Sequence, residues 1–390
     1  MNPVILEPEA AAALVPELTR SRNPNVWGYR IRDEHHGWTL TVATHAPPGS
    51  DQLSLGGFRI APPERMSSPG FSTDREAIAL AIGMEEKVHW SRVIGVGGPL
   101  ALRDISRIVG GKCVLAPTEG ARIGELLDTE LLDFAIACFQ RIESVAGIHI
   151  TTGQDLGHGL MHDGVTPSLA YLNTRYKGSV IADTSVPTGE GNFQILHGML
   201  RACEIGLENA SVGLIGCGNI GMHLVRRLKA CGTEIVALES RAERRSELER
   251  MGVRAWAPES RLEFLRQPVD ALAVNAAGGS LDPEAVAAIA VNERIQVICG
   301  SENLVMPDPA QTKVLRGAGT VYAPTELGGM MGYLTAAEEY LSRVEGVPFD
   351  MRIMLDAAKR LEQVGLEATA RVRGSGYRES FEEAVTVLYA

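Results

Sequence analysis

The stretch SVGLIGCGNIGMHLVRRLKA, residues 211–230, places Gly216, Gly218 and Gly221 between an apolar run and a helical pattern. The run SVGLI has the length and composition of a buried strand, and the residues after Gly221 have the apolar spacing of a helix. In a GxGxxG pattern the first glycine permits a tight turn and the second lets the backbone approach a ligand phosphate. The third lets the helix pack closely on the strand. The stretch therefore predicts a strand, a phosphate-binding turn and a helix.

A second apolar run, EIVAL, follows this helix and leads to Glu239. This glutamate lies about 20 residues beyond the glycines, where an acidic side chain can accept hydrogen bonds from ribose hydroxyls. The N–H groups and the positive dipole end of the helix would face the phosphates. The segment from Val212 to Glu239 thus predicts a Rossmann-type domain that binds a nicotinamide dinucleotide. A glycine-rich turn without a ligand is the alternative, and the complete strand-turn-helix-strand context argues against it.

The acidic residue also bears on the choice of cofactor. Glu239 favours NAD, because its carboxylate would repel the 2′-phosphate of NADP. Arg241 and Arg244 lie close enough in sequence to leave NADP open as an alternative. The remaining cofactor-binding candidates lie after the glycines or at the ends of later strands: Asn219, Ile220, Ser240, Asn275, Ala276 and Asn303.

The organisation of the chain changes near Gly206. From there on, apolar runs alternate with helical patterns, which predicts a parallel sheet with helices on both faces. Short extended segments between Val26 and Arg59, followed by long helical patterns, indicate an α+β domain instead. The expected fold class is α/β, with an N-terminal α+β domain, a Rossmann-type doubly wound parallel-sheet domain, and a cleft between them.

The expected domain boundaries follow from this change. We expect residues 1–184 and 345–390 to form the first domain, and residues 185–344 to form the dinucleotide-binding domain. The last helical pattern, ESFEEAVTVLYA, is expected to pack on the first domain. Thr73, with Glu76 three residues later, has the form of a capping box and predicts the start of a helix that runs towards Lys87.

Charge and hydropathy limit the partners. The chain has 390 residues, is 45% apolar, and carries a formal net charge of −11. No apolar run approaches the roughly 20 residues that a membrane span needs, and the N-terminus lacks the pattern of a signal peptide. We therefore expect a cytoplasmic protein with a small-molecule substrate and with neither nucleic acid nor membrane as partner.

Six short motifs occur in order: LGGFR (55–59), GMEEK (83–87), GVGG (95–98), QDLG (154–157), GSEN (300–303) and YAP (322–324). In order and spacing they resemble the glutamate/leucine/phenylalanine/valine dehydrogenase family, most closely its leucine and phenylalanine members. Each motif is short. Their order, combined with the dinucleotide fingerprint, makes the resemblance specific.

The resemblance implies an NAD(P)-dependent amino acid dehydrogenase-like oxidoreductase that assembles as a homo-oligomer. It implies that residues 1–184 and 345–390 form a substrate-binding and dimerisation domain. It implies that Leu55, Gly56 and Gly57 border the substrate pocket. It also implies that Lys87 pairs with the substrate carboxylate and that Asp155 moves protons. Glutamate-specific members carry a lysine where Leu55 stands, so a dicarboxylate substrate is disfavoured.

Three positions depart from the family's pattern. The family has a second, catalytic lysine where Pro99 is aligned, a threonine where Gly191 is aligned, and an asparagine where Gly329 is aligned. A buried lysine with a lowered pKa can polarise the water that attacks an iminium carbon. We therefore expect a divergent member without the catalytic lysine. Such a protein would transfer hydride at the C–N bond of an amino-acid-like or imine substrate, as in imine reduction, rather than carry out ordinary oxidative deamination.

Two other functions stay open. A non-catalytic NAD(P)-binding homologue that acts as a sensor or partner subunit is favoured by the three departures. Oxidation or reduction at a C–O bond would need His158 as acid or base, and His158 is also the candidate substitute for the missing lysine.

Each site residue also has a plainer interpretation. Lys87 could be a solvated helix residue, Asp155 a turn former, and Gly56 and Gly57 bulge glycines. His158 and His162 are four residues apart, which on a helix would suit a metal ion. The glycines around them argue against a helix, and no metal site is expected.

Overall fold

The computed structural model describes residues 2–390, and this part of the chain divides into two compact units. Unit 1 contains residues 2–89, 98–184 and 333–349. Unit 2 contains residues 90–97, 185–332 and 350–390. The longest segment of unit 2 begins at Ser185.

Unit 1 has α+β architecture, with six strands in one mixed sheet among its described residues. The strands are β1 (Val4–Leu6), β2 (Trp27–Arg32), β3 (Thr39–Thr44), β4 (Leu53–Ile60), β5 (Ile108–Ala116) and β6 (His149–Gly153). The helices are α1 (Pro8–Leu14), α2 (Pro63–Met66), α3 (Thr73–Ile94), α4 (Pro99–Arg103), α5 (Asp128–Ala146) and α6 (Ser168–Asn173), of which α3 continues into unit 2 from Trp90. The strand order is β1-β2-β3-β5-β4-β6, and β4 runs parallel to both β5 and β6.

The core of unit 1 lies between this sheet and α5. β5 is central in the sheet and is buried along nearly its whole length, as its apolar sequence requires. Leu131, Phe139 and Ile142 lie on one face of α5 and pack into the same core. The helix ends at Gly147, whose φ of +60° gives the left-handed cap that glycine adopts without strain.

Glu76 shows a difference from the predicted capping box of α3. The helix begins at Thr73, as the spacing predicts. The Glu76 carboxylate, however, accepts hydrogen bonds from Arg59 Nη1 and Arg65 Nε, both at 2.6 Å. Hydrogen bonds between charged groups are stronger than a bond to one backbone N–H, so the arginines take the side chain away from the cap.

Unit 2 has a doubly wound parallel sheet. Its elements from residue 185 are α7 (Ser185–Ala202), β7 (Ser211–Ile215), α8 (Asn219–Ala230), β8 (Glu234–Leu238), α9 (Ala242–Arg250), β9 (Arg254–Trp256), α10 (Arg261–Leu265), β10 (Ala271–Val274), α11 (Pro283–Ala290), β11 (Val297–Gly300), α12 (Gln311–Gly317) and β12 (Val321–Tyr322). The strand order is β12-β11-β10-β7-β8-β9, and each neighbouring pair is parallel. The order reverses between β7 and β10, and ligands of this fold bind at the carboxyl ends of the strands there. The prediction of an α/β protein with an N-terminal α+β domain and a Rossmann-type parallel-sheet domain is thereby confirmed.

The C-terminal helices differ from the predicted division. α13 (Thr325–Glu345) begins in unit 2 and continues into unit 1 from Tyr333, while α14 (Met351–Ala358), α15 (Arg360–Gly374) and α16 (Phe381–Tyr389) belong to unit 2. The sequence analysis had assigned residues 345–390 to the first domain. The apolar face of a helix shows that it packs on something, but not which unit it covers.

Within residues 2–390, no helix combines the length and hydropathy of a membrane span.

Glycines explain why α15 belongs with unit 2. A Cβ on Gly365 of α15 would lie 2.4 Å from the carbonyl oxygen of Ile195 in α7. A Cβ on Gly198 of α7 would lie 1.9 Å from the carbonyl oxygen of Glu362 in α15. The two helices therefore pack with their backbones in close approach, which a side chain on either helix would prevent.

Replacing Gly365 tests this packing. The Gly365→Ala variant should lose about 1–3 kcal/mol of unfolding free energy, because the added methyl group has no room. Gly374→Ala on the same helix is the control, since nothing lies within 4 Å of a Cβ there. Alanine at that position should leave stability unchanged or raise it by up to about 1 kcal/mol. Equal urea midpoints for the two variants would contradict the close approach.

Candidate active site

A buried ion pair lies in unit 1 between Lys112 of β5 and Asp155 of the loop after β6. Lys112 Nζ donates a hydrogen bond to Asp155 Oδ2. Gly57 of β4 lies beside the pair. A Cβ at that position would lie 3.0 Å from Lys112 Nζ and 3.1 Å from Asp155 Cβ. The absence of a side chain on β4 thus gives the two charged groups room to meet.

A second cation holds the other oxygen of Asp155. Arg59 of β4 directs Nη2 and Nε at Asp155 Oδ1, at 3.3 and 3.4 Å, and the backbone N–H of Leu156 donates to the same oxygen at 2.7 Å. Burial alone would raise the pKa of Asp155, but Arg59 and Lys112 outweigh it and hold the pKa well below its usual range. Asp155 is therefore ionised at neutral pH.

Lys112 has the opposite environment. Burial lowers the pKa of its amine, the attraction of Asp155 opposes this effect, and the repulsion of Arg59 adds to it. A lysine with a lowered pKa releases its proton more readily and can act as a base or polarise a water. The Lys112–Asp155 pair therefore has the composition of a general acid–base site.

Lys112 corrects the expectation that the site lacks a second lysine. Pro99, where that lysine was aligned, is the first residue of α4. The backbone N–H groups of Leu100 and Ala101 in this helix donate to the Glu338 carboxylate at 3.2 and 2.8 Å. The position of Pro99 is thus the start of a capped helix, and the lysine beside Asp155 comes later in the chain.

The sequence did contain a signal for Lys112. The run IVGGKCVL, residues 108–115, places two glycines and a lysine inside an otherwise apolar strand. A lysine is rarely buried in a strand core unless it has a partner. α4 and the turn that follows it lengthen the segment between Lys87 and Lys112, so an alignment without a gap misses the second lysine.

Lys87 is buried on α3, with 6% of its surface exposed, which excludes the plainer interpretation as a solvated residue. Its Nζ lies 4.0 Å from Met84 Sδ. α3 packs directly on β5, because Gly110 leaves room for the backbone of Glu85, whose carboxylate accepts the Gly110 N–H at 2.7 Å. Lys87 and Lys112 each lie two residues beyond this contact, on α3 and on β5.

The other predicted substrate-pocket residues lie on β4. A Cβ on Gly56 would lie 1.9 Å from the carbonyl oxygen of Gly111, so both strands approach at glycines. Leu55 is 1% exposed and lies opposite Gly110 of β5 and Thr151 of β6. The glycines of LGGFR therefore serve the packing of β4 on β5 as well as the space around Lys112 and Asp155.

His158, the candidate substitute acid or base, has both ring nitrogens engaged. Nε2 lies 2.8 Å from the carbonyl oxygen of Phe58, and Nδ1 lies 3.0 Å from Ser168 Oγ. Burial lowers the pKa of the ring. A neutral imidazole held in this way attaches the loop after Asp155 to β4 through Nε2 and to the start of α6 through Nδ1.

His162 binds a different carboxylate. Its Nδ1 lies 2.7 Å from Asp128 Oδ1, and its backbone N–H donates to Asp128 Oδ2 at 2.7 Å. Asp128 also accepts the backbone N–H of Gly124 at 3.0 Å and so joins two loops. Among residues 2–390, no group of three or more His, Cys, Asp or Glu side chains is arranged to hold a metal ion.

The glycine turn of unit 2 fits a dinucleotide. Gly216 has a φ of +84°, and a Cβ there would lie 2.7 Å from the backbone of Ala276. A Cβ on Gly221 would lie 2.3 Å from the carbonyl oxygen of Gly216. At Gly218 the protein atom nearest to such a Cβ is an Arg241 guanidinium nitrogen, 3.9 Å away. The turn is therefore tight where the helix meets the strand and open at Gly218, where α8 begins and a phosphate would bind.

Glu239 lies just after β8 and is 4% exposed. Its Oε2 accepts the Cys217 N–H at 2.7 Å, and its Oε1 accepts the N–H and Nε of Arg241 at 2.9 and 3.2 Å. Burial would raise the pKa of Glu239, but these hydrogen bonds and the Arg241 cation lower it. An ionised carboxylate next to the glycine turn supports the predicted preference for NAD, and Ser240 lies beside it.

The predicted residues Asn275 and Ala276 lie at the carboxyl end of β10. Ser301 Oγ lies 2.7 Å from Asn275 Oδ1, whereas Asn275 Nδ2 is buried without a partner in the described part of the chain. Glu302 was not predicted, yet its carboxylate accepts the N–H groups of Ala276 at 3.0 Å and Ser280 at 2.9 Å. Glu302 thus fixes the loop after β10 next to Asn275 Nδ2. The predicted Asn303 is the next residue.

Packing accounts for one of the departures from the family pattern. A Cβ on Gly191 would lie 2.9 Å from Met331 Cγ and 3.2 Å from Leu361 Cδ1. A Cβ on Gly328, next to Gly329, would lie 2.0 Å from the carbonyl oxygen of Gly300. α13 and α15 thus fill the space that a threonine at position 191 would occupy.

Several known proteins resemble this chain in sequence. Residues 181–277 match the family described as D-isomer specific 2-hydroxyacid dehydrogenase, NAD binding domain. The valine dehydrogenase of Streptomyces albus is 30% identical over 352 residues, which cover 88% of this chain and 86% of that protein. The valine dehydrogenase of Streptomyces virginiae is 26% identical over 327 residues, which cover 82% of this chain and 81% of that protein.

Solved structures share the fold. L-tryptophan dehydrogenase from Nostoc punctiforme aligns over 93% of each chain with a TM-score of 0.61 and 18% identity. The hetero-hexameric glutamate dehydrogenase from Thermus thermophilus aligns over 98% of this chain and 92% of that chain, with a TM-score of 0.65 and 16% identity.

The dinucleotide turn and these relatives define an NAD-dependent, amino acid dehydrogenase-like oxidoreductase. The identity to the Streptomyces albus protein extends over most of both chains. The chain belongs to the glutamate/leucine/phenylalanine/valine dehydrogenase family, and the resemblance carried by its motifs is confirmed.

Glu239→Gln tests the preference for NAD. Glutamine keeps an oxygen for the Cys217 N–H but removes the negative charge. The Kd for NAD should rise about tenfold or more, the loss expected when a charged acceptor is removed from a hydroxyl group. The affinity for NADP relative to NAD should increase, because the repulsion of the 2′-phosphate is gone. Glu243→Gln, at an exposed position of α9, is the control for charge. An unchanged ratio of the two dissociation constants in Glu239→Gln would contradict the assignment.

The His162–Asp128 contact predicts a pH-dependent loop. The hydrogen bond that the His162 ring donates to the Asp128 carboxylate raises the pKa of His162. A histidine whose folded pKa is raised stabilises the fold fully below its unfolded value of about 6.5, and this contribution is lost as the pH rises through the folded pKa. Hydrogen exchange of residues 156–167, corrected for intrinsic rates, should therefore show less protection at about pH 9 than at about pH 6. His162→Gln should abolish the difference, whereas His35→Gln, in an exposed turn, should keep it. A wild-type loop with equal protection at both pH values would refute this prediction.

Proposed function

We propose that the protein catalyses the NAD-dependent oxidative deamination of an L-amino acid with an apolar side chain, and the reverse reaction. The amino acid, NAD⁺ and water are converted to the 2-oxo acid, ammonium, NADH and a proton. The observation that carries the proposal is the buried Lys112–Asp155 pair beside Gly57. Its amine has a lowered pKa and its carboxylate is ionised, as water activation and proton transfer require.

The roles of the side chains follow from their environments. The bound nicotinamide supplies the acceptor for the hydride from the α-carbon. Lys87 pairs with the substrate carboxylate. Lys112, in its neutral form, takes a proton from the water that attacks the iminium carbon, and Asp155 stabilises the resulting ammonium. Burial strengthens each of these interactions, because few water molecules compete for the charged groups.

Two observations support an apolar substrate. Leu55 stands where glutamate-specific members of the family have a lysine, so no cation is offered there to a side-chain carboxylate. Near the same site, a Cβ on Gly153 would lie 3.2 Å from Val180 Cγ2 and 3.9 Å from Ala336 Cβ, so the surrounding side chains are small and apolar. The names of the Streptomyces relatives, which are valine dehydrogenases, are consistent with such a substrate.

Lys112 removes the main reason for expecting imine reduction alone, since that hypothesis depended on a missing lysine.

A homologue that binds NAD(P) without turnover is the second candidate. It is favoured by Gly191 and Gly329, which replace family residues that lie close to the cofactor. Assembly as a homo-oligomer and a cytoplasmic location are also proposals, which rest on the sequence motifs and composition.

Lys112→Met tests the proposed reaction. Nicotinamide absorbance should show turnover of apolar L-amino acids with NAD by the wild type. The variant should lose about 10²–10⁴-fold in kcat, the contribution typical of a general acid–base group. Lys177→Met changes an exposed lysine in the same way and should retain activity. Each protein is also assayed with 2-oxo acids plus ammonia and with preformed cyclic imines.

The assay separates the candidates. Wild-type rates in Lys112→Met would rule out the proposed role of Lys112. Turnover of imines alone by the wild type would support the imine hypothesis instead. Clear NAD binding without turnover of any substrate would support the non-catalytic homologue.

A further inference from the structure

Five charged side chains of alternating sign lead from the surface of unit 1 to the Lys112–Asp155 pair. They are Arg65 of α2, Glu76 of α3, Arg59 of β4, Asp155 and Lys112. Arg65 is half exposed, whereas Arg59 and Glu76 are buried. Two helices, two strands and the loop after β6, which carries Asp155, therefore contribute to one continuous network.

Arg59 is the central member. One guanidinium nitrogen, Nη1, donates to Glu76 Oε1 at 2.6 Å, and the opposite edge faces Asp155 Oδ1. The second oxygen of Glu76 is occupied by Arg65 Nε. Because two carboxylates hold its two sides, the guanidinium has little freedom to rotate. A buried cation with this geometry fixes the carboxylate it faces.

The network is more than the Lys112–Asp155 pair needs for stability. A lysine and an aspartate alone would already neutralise each other, and an additional buried cation carries a desolvation penalty. The extra positive charge has a chemical effect instead. It favours the ionised form of Asp155 and so lowers the pKa of that carboxyl group. It disfavours the charged form of Lys112 and so lowers the pKa of that amine.

We propose that Arg59, held by Glu76, is a positioning residue that keeps Asp155 ionised with Oδ2 directed at Lys112, so that the Lys112 amine is the group that gains and loses the proton. Its consequence for catalysis rests on the proposed function. Its consequence for the Lys112 amine can be measured without any turnover.

Other titratable groups near the pair stay uncharged or act through Arg59. Burial raises the pKa of the Cys113 thiol to about 12 and lowers the pKa of His158, so both are neutral at physiological pH. The charged and titratable groups around the pair are Arg59 of β4, Cys113 of β5, His158 of the loop after β6, Glu76 of α3 and Arg65 of α2.

Arg59→Met tests the proposal, with Arg65→Met as the matched control. Lys112 is labelled with trace acetic anhydride across a pH series, and its acetylation is quantified by peptide mass spectrometry. Removing the Arg59 cation should raise the titration midpoint of Lys112 by about one unit or more, the size expected for a nearby charge. The same change at half-exposed Arg65 should shift it by less than about 0.3 unit, because solvent screens that charge. Equal midpoints in wild type and Arg59→Met would overturn the proposal.

A second variant covers the case in which Arg59→Met does not fold. Glu76→Gln keeps the shape of the side chain and removes the anion that partly neutralises Arg59. The full charge of Arg59 then acts on the pair, so the Lys112 midpoint should fall. A rise or no change in Glu76→Gln would contradict the positioning role.

The pH profile of kcat/KM connects the inference to catalysis. In Arg59→Met, the limb of the profile that reports Lys112 should move to higher pH together with the labelling midpoint. A shifted limb without a shifted midpoint would contradict the role of Arg59. A shifted midpoint in a protein whose wild type has no activity would support the positioning role and refute the proposed function, so the two failures are distinguishable.

Discussion

The buried contact between Lys112 and Asp155 is the interaction on which the candidate site depends. Two charges can leave water only if each finds close partners, and Gly57 of β4 provides the space for that approach. The third buried charge, on Arg59, needs an anionic partner, and the Glu76 carboxylate supplies it. Glu76 is therefore not available to cap the start of α3. One buried pair thus explains the glycine at position 57 and the course of the Glu76 side chain.

Buried carboxylates have a related role in unit 2. Glu239 accepts the N–H of Cys217 in the glycine turn, and Glu302 accepts N–H groups of the loop after β10. Both loops lie at the carboxyl ends of strands next to the point where the strand order reverses. Backbone N–H groups that would otherwise need water are satisfied by side chains from neighbouring strands. The loops that face a dinucleotide are therefore fixed before the ligand binds.

The parts of this structure that sequence predicts are those with local patterns. The glycine turn, Glu239 and the parallel sheet follow from spacing within a few dozen residues. Lys112 was missed because α4 lengthens the segment before it, although the glycines and lysine inside the apolar run IVGGKCVL marked an unusual strand. The roles of Glu302 and Arg59 depend on partners far away in sequence, and the unit to which α15 belongs depends on backbone approach at Gly365 and Gly198.

The departures from the family pattern are not spread evenly over the molecule. Lys87, Lys112 and Asp155, to which we assign the amine chemistry, all belong to unit 1, and all are present. Gly191 and Gly329, which the sequence motifs align with a threonine and an asparagine of the family, belong to unit 2. At Gly191, Met331 of α13 and Leu361 of α15 occupy the space that a side chain on α7 would need, so the packing of unit 2 itself favours a glycine there. The side chains proposed for the amine chemistry and the positions aligned with other residues of the family therefore lie in different units.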